Sequence, residues 1–281
     1  MVIPVTVACS ADPINVRGVR VKARLLRGIA AAAIGLAVIL PATTTPARAE
    51  VNDAYTDIGI DVLIGLFDKM SDGSLSPTEI AELVQLTINA VNGVKVDVVA
   101  RLDAQLVNEL RAKVQFATTS VYYLNTPAFA GYYTVQVNLA AHQAKAHVDT
   151  VSADRDLDAV GRAMITLYSI LEVGEARQGL LQPSRFADYR QGLENLIQKM
   201  TPHCNFGGLP NADLYWSTCT FDGKTVRGDQ RHGPNGTEVS VDGGPWVPGV
   251  LDQGAIAELV MADTAEKLAK DVLEQLRQRG Y

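Results

Sequence analysis

The 281-residue chain reads as a mainly α protein, an antiparallel helical bundle with a small disulfide-closed β excursion near its C-terminus. Three observations carry that reading. Apolar residues recur at steps of three and four over most of residues 57–200, the period of a helix with one buried face. Short breaks holding Pro or Asn separate these stretches, as between antiparallel neighbours in a bundle. Near His203 the composition shifts to a segment rich in Gly, Pro and Asn that carries two cysteines.

The elements follow in order. Asp57 to Phe67 is short and apolar and forms a first helix. Pro77 to Val91 sets Ile80, Leu83, Val84, Ile88 and Val91 on one face. Asn92-Gly93 then ends or kinks that helix. The pattern resumes with Val99, Leu102, Leu106, Leu110, Val114, Ala117, Val121 and Leu124, which predicts one long amphipathic helix up to Asn125-Thr126-Pro127. Ala128 to Val151 is a further helix. Asp156 to Leu171 places Leu157, Val160, Met164, Leu167 and Leu171 in a heptad-like seam. Pro183-Ser184 opens a helix whose Phe186, Tyr189, Leu193, Leu196 and Met200 face inward, and Thr201-Pro202 closes it.

In the excursion over 204–250, Tyr215–Phe221 has strand character. Asp222-Gly223 is a hairpin turn leading to Lys224–Arg227, and Glu238–Val241 forms another strand. A C-terminal helix over 251–279 carries Ile256, Leu259, Val260, Leu268, Val272 and Leu276 on one side. It packs back on the bundle, so residues 50–281 form one domain.

The N-terminus has the layout of an export signal. A basic stretch, Arg17 to Arg27, precedes 13 apolar residues, Gly28 to Leu40, and Ala47-Arg48-Ala49 supplies small residues for cleavage between Ala49 and Glu50. A membrane span needs about 20 apolar residues, so a stable anchor is not expected. Residues 16–49 are the signal. Residues 1–15 do not fit one, and translation is expected to start at Val16, Val19 or Val21 instead. A precursor found to begin at Met1 would refute that start.

Charge narrows the partners. Six of the 25 basic residues and one of the 31 acidic residues precede Glu50, so residues 50–281 hold 19 and 30, a net charge of −11. Such a surface repels phosphate backbones, which argues against nucleic acid. The exported part keeps Cys204 and Cys219, with 14 residues between them. In an oxidising compartment this pair is expected to form a disulfide, stabilising by roughly 3 kcal/mol on a chain-entropy basis.

One segment carries ligand chemistry. Asp68 to Glu79, DKMSDGSLSPTE, resembles the calcium loop of the EF-hand family. The resemblance implies ligands from Asp68, Asp72, the Ser74 carbonyl, Ser76 and a bidentate Glu79, with Gly73 at the sharp turn. Met70 stands where the family places an oxygen ligand, and no second loop of the kind occurs. The competing reading is a capped turn: Ser76-Pro77-Thr78-Glu79 has the pattern of a capping box with Pro at the first helical position. Asp154, Asp156 and Asp158 are acids at a helix N-terminus, favoured by the macrodipole.

Catalytic motifs are missing from the sequence: no G-x-S-x-G, no H-E-x-x-H and no glycine-rich phosphate loop. His142 and His147 are five residues apart, off one helical face, and read as solvated. His232 lies in a Gly/Pro-rich loop near Arg231 and Glu238. Trp216 and Trp246 either mark a binding surface or cover the small core beside the disulfide.

The export signal, Ala-rich helices and late cysteine pair together resemble a group of uncharacterised secreted helical proteins of high-GC Gram-positive bacteria. The resemblance implies a compartment and a fold. The expected function is a secreted, non-enzymatic helical protein acting by binding at the cell envelope or outside the cell, with calcium as a possible stabiliser. A membrane-active bundle, suggested by the apolar stretch Ala159 to Val173, is the first alternative. A secreted hydrolase assembled from dispersed acids is the second.

Overall fold

The helical periods close around one helix that has no solvent face. The computed structural model describes residues 55, 57–70, 75–102, 108–209, 213–233 and 236–281, within a single compact unit. The signal over 16–49, the cleavage point at Ala49 and Glu50, and loop residues Asp72, Gly73 and Ser74 lie outside them. A π-helical turn, Asp57–Asp61, leads into α1 (Val62–Met70). Then come α2 (Pro77–Arg101), α3 (Asn108–Thr119), a 3₁₀ turn (Val121–Asn125), α4 (Pro127–Thr150), α5 (Asp154–Arg177) and α6 (Pro183–Lys199). Five strands follow: β1 (His203–Leu209), β2 (Leu214–Phe221), β3 (Lys224–Gly233), β4 (Gly236–Val241) and β5 (Val247–Pro248). Helices α7 (Gln253–Met261) and α8 (Ala265–Gln278) close the chain.

The central element is α5. Every residue from Leu157 to Ala176 is buried, so the expected seam is one part of a helix covered on all sides. Helices α2, α4, α6 and α8 all pack on it. Small residues permit the closest approaches. A methyl group at Gly161 would lie 2.7 Å from Leu196 Cδ2, and one at Gly174 would lie 2.6 Å from Thr134 Oγ1. Helix α4 presents Ala130, Tyr133, Val137, Ala140, Ala141, Ala144 and Val148 to the core, and α6 buries Phe186, Tyr189, Leu193 and Leu196 as the spacing predicts. Ala159–Val173, the stretch behind the membrane-active alternative, is core.

Two helix boundaries differ from the sequence expectation. Asn92-Gly93 neither ends nor starts a helix. Val91, Val94 and Val98 keep the buried face going through it, and α2 runs to Arg101. The single long helix up to Leu124 is instead broken after Leu102, and α3 begins at Asn108. A straight helix over 77–124 would be roughly 72 Å long, twice the length of the central helix. The break lets Leu110, Val114 and Ala117 fold back against α2 and α4.

The C-terminal helix is also two helices, because its halves serve different layers. Helix α7 packs on β2 and β3, and α8 packs on α5 and α6. The break at Ala262–Thr264 is held from the core. Asp158 Oδ1 accepts from the Ala265 amide at 2.6 Å, and Arg162 Nη2 donates to the Asp263 carbonyl. That amide is the first of α8 and has no acceptor within its own helix.

Arg162 is fully buried, its guanidinium paired with Asp158 at 3.0 Å and lying 4.8 Å from the centre of the Tyr55 ring. Arg101 reaches the same carboxylate at 3.2 Å, and Asp97 accepts from both Arg101 (2.7 Å) and Tyr55 (2.9 Å). Tyr55, α2, α5 and α8 therefore meet in one polar chain.

The β excursion is a five-stranded antiparallel meander in sequential order. All three expected strands run longer than expected, β3 most of all, and β1 and β5 carry no clear strand signal in the sequence; HCNFGGL is a poor strand former. Cys204 faces Cys219 across β1 and β2, with an S–S bond and a Cα–Cα distance of 4.0 Å. The predicted turn is present: Asp222 (φ 45°) and Gly223 (φ 74°) have the left-handed conformation that a tight hairpin requires.

Glu172 lies inside the bundle near Glu175 and Tyr189, and neither carboxyl oxygen has a hydrogen-bond partner among the described residues. Burial pushes its pKa well up, with Glu175 adding to the effect, so the folded protein holds it neutral. In the unfolded chain it ionises near its ordinary value. Its contribution to stability is therefore full below that value and lost as pH rises towards the folded value. Glu172→Gln should raise the thermal midpoint at pH 8 by about 2–4 °C, the shift that roughly 1 kcal/mol gives in a domain of this size. At pH 4 it should change little. An effect larger at pH 4 than at pH 8 would be incompatible with a neutral Glu172.

Candidate functional site

Alternation along the strands divides the sheet into two faces. The inner face carries Cys219, Phe221, Val226 and Gly228, all buried. A methyl group at Gly228 would meet Leu251 Cδ1 at 2.5 Å and Ile256 Cδ1 at 2.7 Å, so α7 and its lead-in press directly on the strand. The outer face carries Trp216, Thr218, Arg227, Asp229, Arg231 and Glu238.

Two aromatic–guanidinium pairs define that outer face. The Trp216 ring lies against Gly207 of the neighbouring strand, where a Cβ would stand 2.5 Å from Cζ2. Arg227 sits over the same indole, 5.6 Å from its centre, and Asp229 holds Arg227 through bonds of 2.9 Å to Nε and 2.7 Å to Nη2. Trp246 arrives from the segment between β4 and β5 and lies under Arg231 at 4.1 Å. Glu238, opposite Arg231 in the register, accepts from it at 3.0 Å. Both tryptophans are half-buried and both arginines exposed. The face thus pairs each cation with a local carboxylate, in a chain whose remainder is acidic. Each pair is individually weak in water, but together they fix the orientation of four large side chains.

Of the other sequence-marked residues, the structure brings Ser76 and Glu79 together. Ser76 is the N-cap of α2. Its Oγ accepts from the Glu79 amide at 3.3 Å, and Glu79 Oε2 accepts from the Ser76 amide at 2.9 Å, a complete capping box. Hydrogen bonding from the Ser76 side chain and the Ser76 backbone amide to the Glu79 carboxyl holds its pKa below its ordinary value. Asp68 lies 3.3 Å from Arg279, and Lys69 lies 2.9 Å from Glu82. Asp72 and Ser74 are not among the described residues. Among those described, no three His, Cys, Asp or Glu side chains converge as a metal site.

Asp154 and Asp156 occupy the first turn of α5, as expected. Asp158 departs from that reading: it is buried and belongs to the Arg162 chain. His142 is partly exposed and sits 3.3 Å from Asp188, which also accepts from Lys145 and Tyr168, each at 2.5 Å. Burial pushes the Asp188 carboxyl up, but the Lys145 and Tyr168 bonds outweigh it and hold the pKa below its ordinary value. This cluster ties α4, α5 and α6. His232 is exposed, 3.4 Å from Thr237 Oγ1. Two open grooves lie among the described residues, one between α2 and α3 beside Lys95 and Arg111, the other between α6 and α8 beside Glu194 and Lys270.

Sequence reasoning picked out Trp216 and Trp246 but missed Arg227 and Arg231. The signal was available: Arg227, Asp229 and Arg231 alternate along one strand, which puts all three on one face. No protein family, curated protein or solved structure matches this chain.

The capping box and the Asp68–Arg279 pair occupy the two end ligands of the EF-hand-like loop. Adding millimolar calcium in place of excess EDTA should therefore leave the thermal midpoint unchanged. A rise of several degrees that disappears in Asp68→Ala and Glu79→Ala would instead establish a calcium site.

Proposed function

We propose that the protein is a secreted, non-enzymatic helical protein that acts by binding a cell-envelope or extracellular partner through the outer face of its sheet. The observation that carries this reading is the pair of tryptophans on one face, each held under an arginine that its own carboxylate orients. Trp and Arg are the residues on which binding energy concentrates at interfaces. Pre-orienting them lowers the entropy lost on contact. The Cys204–Cys219 disulfide fits an oxidising, extracellular setting and staples the edge strand on which Trp216 rests.

The export signal with cleavage before Glu50, and the kinship with secreted helical proteins, belong to the same proposal. A calcium-stabilised form resting on Asp68, Asp72, Ser74, Ser76 and Glu79 is a subsidiary version of it, which the calcium melt decides. Local charge balance on the sheet face suits a neutral or weakly charged partner, such as a wall polysaccharide or an uncharged peptide, rather than nucleic acid.

The chain has two tryptophans, both on this face, so tryptophan emission, excited where tyrosine does not absorb, reports on the face alone. Titrating the purified protein with soluble cell-wall polysaccharide should shift or quench the emission to saturation. Arg227→Ala and Arg231→Ala should each weaken binding by about tenfold, an interface loss of roughly 1–2 kcal/mol, with the melting midpoint kept. Binding that ignores both substitutions would move the site elsewhere. Release of new reducing ends during the titration would favour the hydrolase alternative, and leakage from liposomes the membrane-active one.

A further inference from the structure

A second surface stands apart from the sheet. Along α4 and the 3₁₀ turn before it, Tyr122, Phe129, Tyr132, Val135 and Leu139 are each more than half exposed. Phe129, Tyr132, Gln136 and Leu139 follow one another at steps of three, four and three, the spacing of a helix–helix seam. Inward-facing Tyr133, Val137 and Ala140 already supply this helix's share of the core, so the outer row is a second apolar face. Scattered exposed apolar residues need no explanation, but a contiguous row of large ones marks a contact.

The same region carries no Asp, Glu, Lys or Arg from Val114 to Ala144, a run of 31 residues in a chain where 20% of residues are charged. We infer that this uncharged face of α4 is where two copies of the chain pair, with Phe129, Tyr132, Val135, Gln136 and Leu139 at the contact.

A two-fold contact sets the same patch of both copies face to face, so residues close to the dyad meet their own copies and a charge there meets its own sign. Two acidic copies repel one another, and a contact row that carries no charge of its own adds nothing to that repulsion. Gln136 lies midway along the row. Its amide carries both donor and acceptor, so two copies can pair across a dyad, and one polar residue in an apolar seam sets register. Tyr and Phe are also the residues enriched in the cores of such interfaces. A lipid surface would accept the same aromatics, but an interfacial helix uses a Lys/Arg-rich polar face for headgroups. This stretch has none.

Sedimentation equilibrium of the purified exported protein between about 1 and 200 µM, the range for a moderate self-association, should show the mass doubling. Tyr132→Lys and Leu139→Lys each bury a charge in the apolar contact, on side chains that are solvent-facing in one copy. Each should keep the protein monomeric throughout and leave the melting midpoint unchanged at about 1 µM or below, where the wild type is dissociated as well. Gln136→Cys should cross-link copies under mild oxidation, since Cys204 and Cys219 are already paired, and the cross-link should vanish when Tyr132→Lys is added. A wild-type protein that stays monomeric at 200 µM, or a dimer indifferent to both lysines, would overturn the inference. Flotation with phosphatidylcholine vesicles, lost in Tyr132→Lys, would overturn it as well by assigning the face to lipid.

Discussion

The buried pair of Asp158 and Arg162 is the interaction on which the arrangement of this protein turns. Arg162 is the largest fully buried side chain among the described residues, and it sits one turn after Asp158 on the central helix. Burying an ion pair costs several kcal/mol per charge in lost hydration, and a bare pair seldom recovers it. Here the pair is not bare. The carboxylate also receives Arg101 from α2 and the Ala265 amide from α8, while the guanidinium reaches the Asp263 carbonyl and the Tyr55 ring. Apolar contacts would hold these helices together in several registers. Directional bonds from one carboxylate to three elements select one of them.

That selection extends to the sheet. Lys224, at the start of β3, reaches both the Leu259 carbonyl in the last turn of α7 and Asp263 within the break that the Arg162 chain holds. Burial and the nearby Asp158 both push the Asp222 carboxyl up, so the β2–β3 turn stands close to the same polar centre. Helix α7 then lies across β2 and β3 while α8 returns to the bundle. The tryptophan-bearing face and the uncharged face of α4 are carried by elements packed on this core. Surfaces held on rigid elements lose little order on contact, which suits the binding role proposed for them.

Helical periodicity was legible wherever one face of a helix meets solvent. Phe186, Tyr189, Leu193, Leu196 and Met200 are the clearest case, buried as their spacing requires. The capping box at Ser76 and the turn at Asp222-Gly223 were legible too, because each is local chemistry within four residues. What stayed hidden depends on distant partners. Nothing around Leu102 announces the end of α2; the length of the bundle does. The break before Ala265 has a weak local signal in Thr264 but is set by Asp158, 107 residues away. Strand β1 exists because Cys204 is tied to Cys219 and its neighbours pair with β2, against the preference of its own glycines. Of the candidate site, the tryptophans and the cysteines stood out by type. The arginines were hidden among surface charges until strand alternation put them beside the rings.

The most direct examination of the central pair is residue-resolved hydrogen exchange of the folded protein, read at the Ala265 amide. The first amides of a helix have no acceptor within it and ordinarily exchange early. Bonded to a buried Asp158, this one should exchange as slowly as the amides in the middle of α5, while those at the exposed start of α7 exchange far faster. Exchange at Ala265 as rapid as at a frayed helix end would mean that the core does not hold the α7–α8 break, and the organising role assigned to Asp158 and Arg162 would fall.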